Sequence, residues 1–141
     1  MVNYWLCITN EENWKVVKDR KIWGVPEQNR RQIAGVKPDD VLIFYVKPKK
    51  IAGIFKSITE PFKSDERIFS TTGFAERETF SHRISLEPKV VLKDPINFEQ
   101  LVPKLNFLIN KKKWGMHLMG KAMRSIPKED YEVIESSIRG I

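Results

Sequence analysis

Six consecutive apolar residues, Val41-Leu42-Ile43-Phe44-Tyr45-Val46, stand between the turn Lys37-Pro38-Asp39-Asp40 and the loop Lys47-Pro48-Lys49-Lys50. Rich in β-branched and aromatic side chains and bounded by turn formers, this run reads as the clearest strand of the chain. The loop returns directly into Ile51-Ala52-Gly53-Ile54-Phe55-Lys56-Ser57-Ile58, so the two segments are expected to pair as a hairpin. Tyr4 to Ile8 is a shorter run of the same kind. Arg83-Ile84-Ser85-Leu86-Glu87 alternates as a strand does, and Pro88 before Lys89 to Leu92 predicts a bulge or an edge.

Helical signals fall between and after these strands. Thr9 and Glu12 have the spacing of a capping box, with Asn10 as the alternative N-cap, and Trp14, Val17 and Val16 would face the core. Pro26 can open a second short helix with Ile33 inward and Arg30 and Arg31 outward. Phe98, Leu101, Leu105 and Leu108 recur at helical spacing, although Pro103 must sit in a first turn or kink. Pro127 to Ile138 reads as a final helix with Tyr131, Ile134 and Ile138 inward, and Pro61 to Thr79 as a long irregular loop, often a functional feature. The expectation is one domain over residues 1–141, of α+β class. It is built on a small, mostly antiparallel sheet, curved or closed into a barrel and flanked by helices.

With 41% hydrophobic and 30% charged residues the composition is that of a globular chain. No apolar run approaches the roughly 18 residues of a membrane span, and Met1-Val2-Asn3-Tyr4-Trp5-Leu6 lacks the features of a signal peptide, so a cytoplasmic protein and no membrane partner are expected. The single cysteine, Cys7, excludes an intramolecular disulfide and a cysteine-cluster zinc site, and it reads as a small core residue. Net charge is +7, and it is unevenly spread. No acidic residue lies between Glu99 and Glu129, a gap holding Lys104, Lys111, Lys112, Lys113, Lys121, Arg124 and Lys128. A second acid-free stretch, from Val41 to Thr59, holds Lys47, Lys49, Lys50 and Lys56. Clustered base is the footprint of a phosphate-binding face, for which Arg30, Arg31, Lys111, Lys112, Lys113 and Arg124 are the candidates.

Catalytic groups are scarce. His82 and His117 are far apart, no paired metal-ligand motif or glycine-rich phosphate loop occurs, and Glu11-Glu12 and Asp39-Asp40 sit where helix starts and turns favour acids. No metal, cofactor or catalytic residue is expected. The aromatics carry more. Trp23 and Trp114 each precede a glycine, and Lys21-Ile22-Trp23-Gly24-Val25-Pro26 reads as a turn holding an indole beside bare backbone. That ring is either a ligand wall or a core cover. Phe69, Phe74 and Phe80 in the irregular loop either close such a pocket or fold inward.

Together these residues resemble an EVE domain, a member of the PUA-like superfamily related to YTH domains. The resemblance rests on Tyr4-Trp5-Leu6, on Ile22-Trp23-Gly24-Val25-Pro26, on the hairpin with Gly53, and on Ile126-Pro127 with Asp130, Tyr131 and Ile134. Many EVE domains carry Lys-Ser after the opening strand, where this chain has Cys7-Ile8. The resemblance implies a PUA-like barrel and a role like that of YTH domains, which read a methylated adenine in RNA through an aromatic cage. By that likeness Trp23 is a cage tryptophan and the Gly24 backbone contacts the base, with Val25 and Pro26 completing the turn. Thr9, Asn10 and Asn13 would supply polar contacts, Phe74 and Phe80 are candidates for the other walls, and Gly120 and Lys121 would reach in from the C-terminal side. The implied partner is RNA or DNA bearing a modified base, with small anions such as phosphate also attracted to the pocket. An RNA-binding module indifferent to modification, and an enzyme acting on a nucleotide, are the competing readings.

Overall fold

A computed structural model describes residues 1–140. The central hairpin forms as expected, with strand β3 (Val41–Val46) antiparallel to β4 (Lys50–Ser57). Strand β1 (Tyr4–Thr9) lies on the other side of β3 and runs parallel to it, Tyr4 opposite Val41 and Thr9 opposite Val46. Every residue of β3 is buried. Alternate side chains of a strand point to opposite faces, and here both faces are covered. Trp5, Cys7, Leu42, Phe44 and Val46 enter one apolar cluster, and Leu6, Ile8, Val41, Ile43 and Tyr45 enter the other.

Helix α1 (Glu11–Arg20) covers the first face through Trp14 and Val17, and the short α2 (Arg30–Ala34) adds Ile33. The helix begins at Asn10, whose side-chain oxygen accepts from Asn13 N at 2.8 Å. Thr9 is still in the strand, so the capping box expected from Thr9 and Glu12 does not form. The second face is covered by residues 98–118 and by α3 (Lys128–Arg139), which inserts Tyr131 and Ile134. Between Phe98 and Leu108 no regular helix forms; two 3-10 turns, Phe98–Gln100 and Val102–Lys104, stand in its place, and Phe98, Leu101, Leu105 and Leu108 are still all buried. Pro103 has no N–H to give to a continuing α-helix, and it falls in the first positions of the second turn.

Residues Ile22–Val25 form strand β2 rather than a turn. The reversal that the sequence suggested lies one residue earlier, at Lys21, which ends α1 in the left-handed region (φ 55°). Strand β2 pairs with the long β6 (His82–Asn97), and the two-residue β5 (Phe62–Lys63) pairs with β6 as well. Pro88 marks a bulge, since Phe55 faces Pro88 while Ile54 faces Val90, leaving Lys89 without a partner. With β7 (Met123–Ile126) beside β1, the strand order is β2-β6-β4-β3-β1-β7, with β5 on β6. Among the described residues only β1 and β3 are parallel, and β2 and β7 do not pair. The sheet is a curled half-barrel with helices against it. Among the described residues no helix is long and apolar enough to cross a membrane.

One buried acid ties the N-terminus to this sheet. Asp40, 1% exposed, accepts from Asn3 N at 3.0 Å, Trp5 Nε1 at 3.1 Å and Lys37 N at 2.9 Å. Removing the carboxylate strands three donors, so Asp40→Ala is expected to lower stability by about 3 kcal/mol, read as a shift in urea midpoint at unchanged m-value.

Candidate binding cavity

Beyond the C-terminal ends of the two parallel strands lies a cavity of about 600 Å³, in the ordinary range for a small-molecule site. Five segments wall it: the β1–α1 junction, β2 with the turn after it, the β3–β4 turn, the 70–80 loop, and residues 114–122. Trp23 lines it while only 3% exposed, with its ring edge-on to Phe44 at 5.4 Å. The two alternatives for this ring are therefore joined, since one part covers the core and another faces the cavity. Its Nε1 is enclosed and has no hydrogen-bond partner among the described residues.

A further wall belongs to the irregular loop. Phe74 and Phe80 meet edge-on at 5.0 Å, and Phe69, 8% exposed, is drawn into the core beneath them. Phe80 stands at φ 54°, a conformation that bulky residues rarely adopt. Two groups hold it there. The Glu78 carboxylate accepts from Thr79 N and Phe80 N at 3.1 and 2.9 Å, and Arg83 Nε donates to Phe80 O at 2.9 Å. Arg83 also donates to Thr79 O at 2.9 Å, Glu66 O at 2.5 Å and Ser64 Oγ at 3.1 Å, while its guanidinium lies over the Phe69 ring at 5.3 Å. Burial pushes its pKa down, opposed by nearby Glu66 and Asp65. The alternation of 83–87 would put Arg83 outside, yet it is 1% exposed because β2 and β5 flank it and the loop closes over it. No sequence signal marks it; the need for it arises from loop carbonyls that require a donor.

The polar side chains divide into those already engaged and those free. Asn10 caps α1, and Asn13 exchanges two bonds with Ser70, Nδ2 to Ser70 O at 3.0 Å and Ser70 N to Oδ1 at 2.7 Å. Both still line the cavity, as do Thr9, Gly24, Pro26, Gly120 and Lys121. Val25 does not: it is fully buried in the same core cluster that Trp23 covers. Asn29, Tyr45, Lys47 and Lys49 were not singled out for the base site, and all line the cavity, as does Trp114, whose place before a glycine made it a lesser candidate for a wall. The hydroxyl of Tyr45 accepts from Lys49 N at 3.1 Å, which ties the lysine-bearing turn to the cavity wall.

None of the six candidate phosphate residues lines the cavity. Arg30 pairs with Glu27 at 3.4 Å, Lys111 Nζ donates to Leu105 O, and Arg124 lies over the Phe107 ring at 4.7 Å. Arg31, Lys112 and Lys113 are exposed without an ion pair among the described residues, and Lys113 immediately precedes the wall residue Trp114. The lysines at the cavity itself are Lys47, Lys49 and Lys121, and no Asp, Glu, His or Cys lines it. Cys7 is buried, which pushes its thiol pKa well up, and among the described residues no group of three or more candidate metal ligands gathers.

A family model described as the EVE domain matches residues 3–137. A UPF0310 protein of Pyrococcus abyssi is 45% identical over 144 residues, covering 96% of this chain and 99% of its own. Among solved structures, human THYN1 in complex with 5-methylcytosine-containing DNA superposes with a TM-score of 0.65 at 15% identity, covering 96% of this chain and 97% of that one. The Mmi1 YTH domain gives 0.66 at 11% identity, over 99% and 79%. At such identities the two structures establish a shared fold.

Proposed function

This chain belongs to the EVE domain family, and we propose on that premise that it is a nucleic-acid-binding module that seats a modified, uncharged base against Trp23. The observation that carries the reading is the cavity's composition: the rings of Trp23, Phe74, Phe80 and Trp114, three lysines, and no carboxylate, imidazole or thiol in its lining. Rings favour a flat ligand, and lysines favour one that brings phosphates. The lack of any acid disfavours a ring with a fixed positive charge, which an aromatic cage alone would welcome. The absence of a carboxylate, imidazole or thiol from the lining leaves its lysines and hydroxyls without a partner base to activate them, which supports binding over catalysis. The solved complex of human THYN1 with 5-methylcytosine-containing DNA lends the same reading support from a shared fold.

A base inside a duplex cannot reach such a pocket without leaving its stack, so single-stranded or easily flipped sites bind best. Lys47, Lys49 and Lys121, with Arg31, Lys112 and Lys113 beyond them, would position the strand, while the pocket selects the base.

The test is a titration by fluorescence anisotropy with single-stranded oligonucleotides bearing 5-methylcytosine, N6-methyladenine, cationic 7-methylguanine or the plain bases. Wild type is expected to prefer one neutral modified base. Trp23→Ala is expected to weaken that complex about 5- to 150-fold, the equivalent of one lost stack at ~1–3 kcal/mol, and to erase the preference. Background binding should remain, with a log–log salt slope of about −2 if three phosphates are neutralised. Equal affinities across the panel would instead support an RNA-binding module indifferent to modification.

A further inference from the structure

We infer that Asn29 reads the hydrogen-bonding edge of the seated base, a role that rests on the proposed pocket. Asn29 lines the cavity and is 6% exposed. Its carboxamide has no hydrogen-bond partner among the described residues. It is not sealed off either, for the enclosed side-chain atoms without partners are Trp23 Nε1 and Gln32 Oε1. A buried carboxamide that keeps access to open volume and lacks a partner is poised for a ligand, since leaving such a group unpaired is unfavourable.

The backbone makes this side chain a fixed one. Pro26 sets the chain direction out of β2, Asn29 N donates to Pro26 O at 2.9 Å, and four residues later Ile33 anchors α2 in the core at 1% exposure. Asn29 therefore stands at a set position relative to Trp23, on the same short stretch of chain. The competing polar groups are less suited. Asn13 is held by Ser70 through both of its side-chain atoms, and Asn10 accepts from the helix start. Thr9 offers one hydroxyl, while Gln28 is exposed and would have to be ordered. A carboxamide presents a donor and an acceptor on neighbouring atoms, which matches the neighbouring acceptor and donor on a base edge and forms two bonds in one plane.

The test is a double-mutant cycle between protein and base. The wild type and Asn29→Ala are titrated with the oligonucleotide that the wild type prefers. Both are also titrated with the same oligonucleotide whose base has its exocyclic amine or carbonyl replaced by hydrogen. Stripping the edge is expected to weaken the wild type about 5- to 150-fold, and Asn29→Ala by less than twofold. Asn29→Leu keeps about the volume, removes both the donor and the acceptor and gives a second reading should the alanine variant fold poorly; it too should be insensitive to the stripped edge. Equal sensitivity in wild type and variants, with Trp23→Ala still erasing preference, overturns the role of Asn29 and leaves the pocket standing. If Trp23→Ala discriminates as the wild type does, the pocket itself is elsewhere and Asn29 falls with it.

Discussion

Arg83→Met should lower stability by about 3 kcal/mol and loosen the 64–80 loop, taking modified-base discrimination with it. The guanidinium bonds the carbonyls of Glu66, Thr79 and Phe80 and the Ser64 hydroxyl, four acceptors on two separate parts of the loop. Methionine keeps the stem that packs near Gly24 and Phe69 but satisfies none of them. Each stranded carbonyl costs about 1–3 kcal/mol, offset in part because the buried charge disappears, and about 3 kcal/mol is the balance. The loss should be localised. Hydrogen exchange should accelerate across 64–80 while β1, β3 and β4 keep their protection relative to the new global stability. Arg83→Lys should recover little, because one ammonium cannot span the acceptors of a planar fork. A variant that loses stability with no added exchange in the loop would show that Arg83 supports the core alone.

How much of this was legible in the sequence follows from where the controlling forces are local. The β3–β4 hairpin, the bulge at Pro88 and the last helix were readable because pattern and turn chemistry act within a few residues. Trp23 was readable as an aromatic set against a glycine and a proline. Its strand was not, because Ile22–Val25 has no alternation of its own and becomes a strand by pairing with β6, some 60 residues away. The same holds for Arg83. Its place in an alternating run points outward, and only the crossing of a distant loop turns that position inward. The helical spacing of Phe98, Leu101, Leu105 and Leu108 reflected a real apolar face, but burial onto the sheet is achieved there by 3-10 turns around Pro103. For the site, sequence could mark polar residues near Trp23 but not which were already engaged. Asn13 looked available until Ser70 arrived from another segment, and Asn29 stood unmarked because its availability is defined by the partners it lacks.

Gly24→Ala should be the most informative substitution in the cavity wall, since it adds one methyl and alters no aromatic ring. A Cβ at this position would lie 2.6 Å from Phe69 Cε2, 2.8 Å from Phe80 O and 3.2 Å from Arg83 Cγ. The phenylalanine ring can yield by rotating, but the carbonyl is held by Arg83 Nε and by a backbone already at φ 54°. The methyl must therefore displace the Phe80 peptide or break its bond to Arg83. Overpacking of this kind costs about 1–3 kcal/mol and the lost charge-assisted bond about 1 more, so a total of about 2–4 kcal/mol is expected in thermal or urea unfolding. Because Gly24 and Arg83 act through the same peptide, the double variant Gly24→Ala/Arg83→Met should be less unstable than the two losses added together. Trp23 remains in place in Gly24→Ala, so a loss of modified-base preference in this variant would separate the role of the loop wall from that of the indole. Full preference with wild-type stability would mean that β2 and the Phe80 carbonyl stand further apart than 2.8 Å allows, and the loop would then not be the second wall of the pocket.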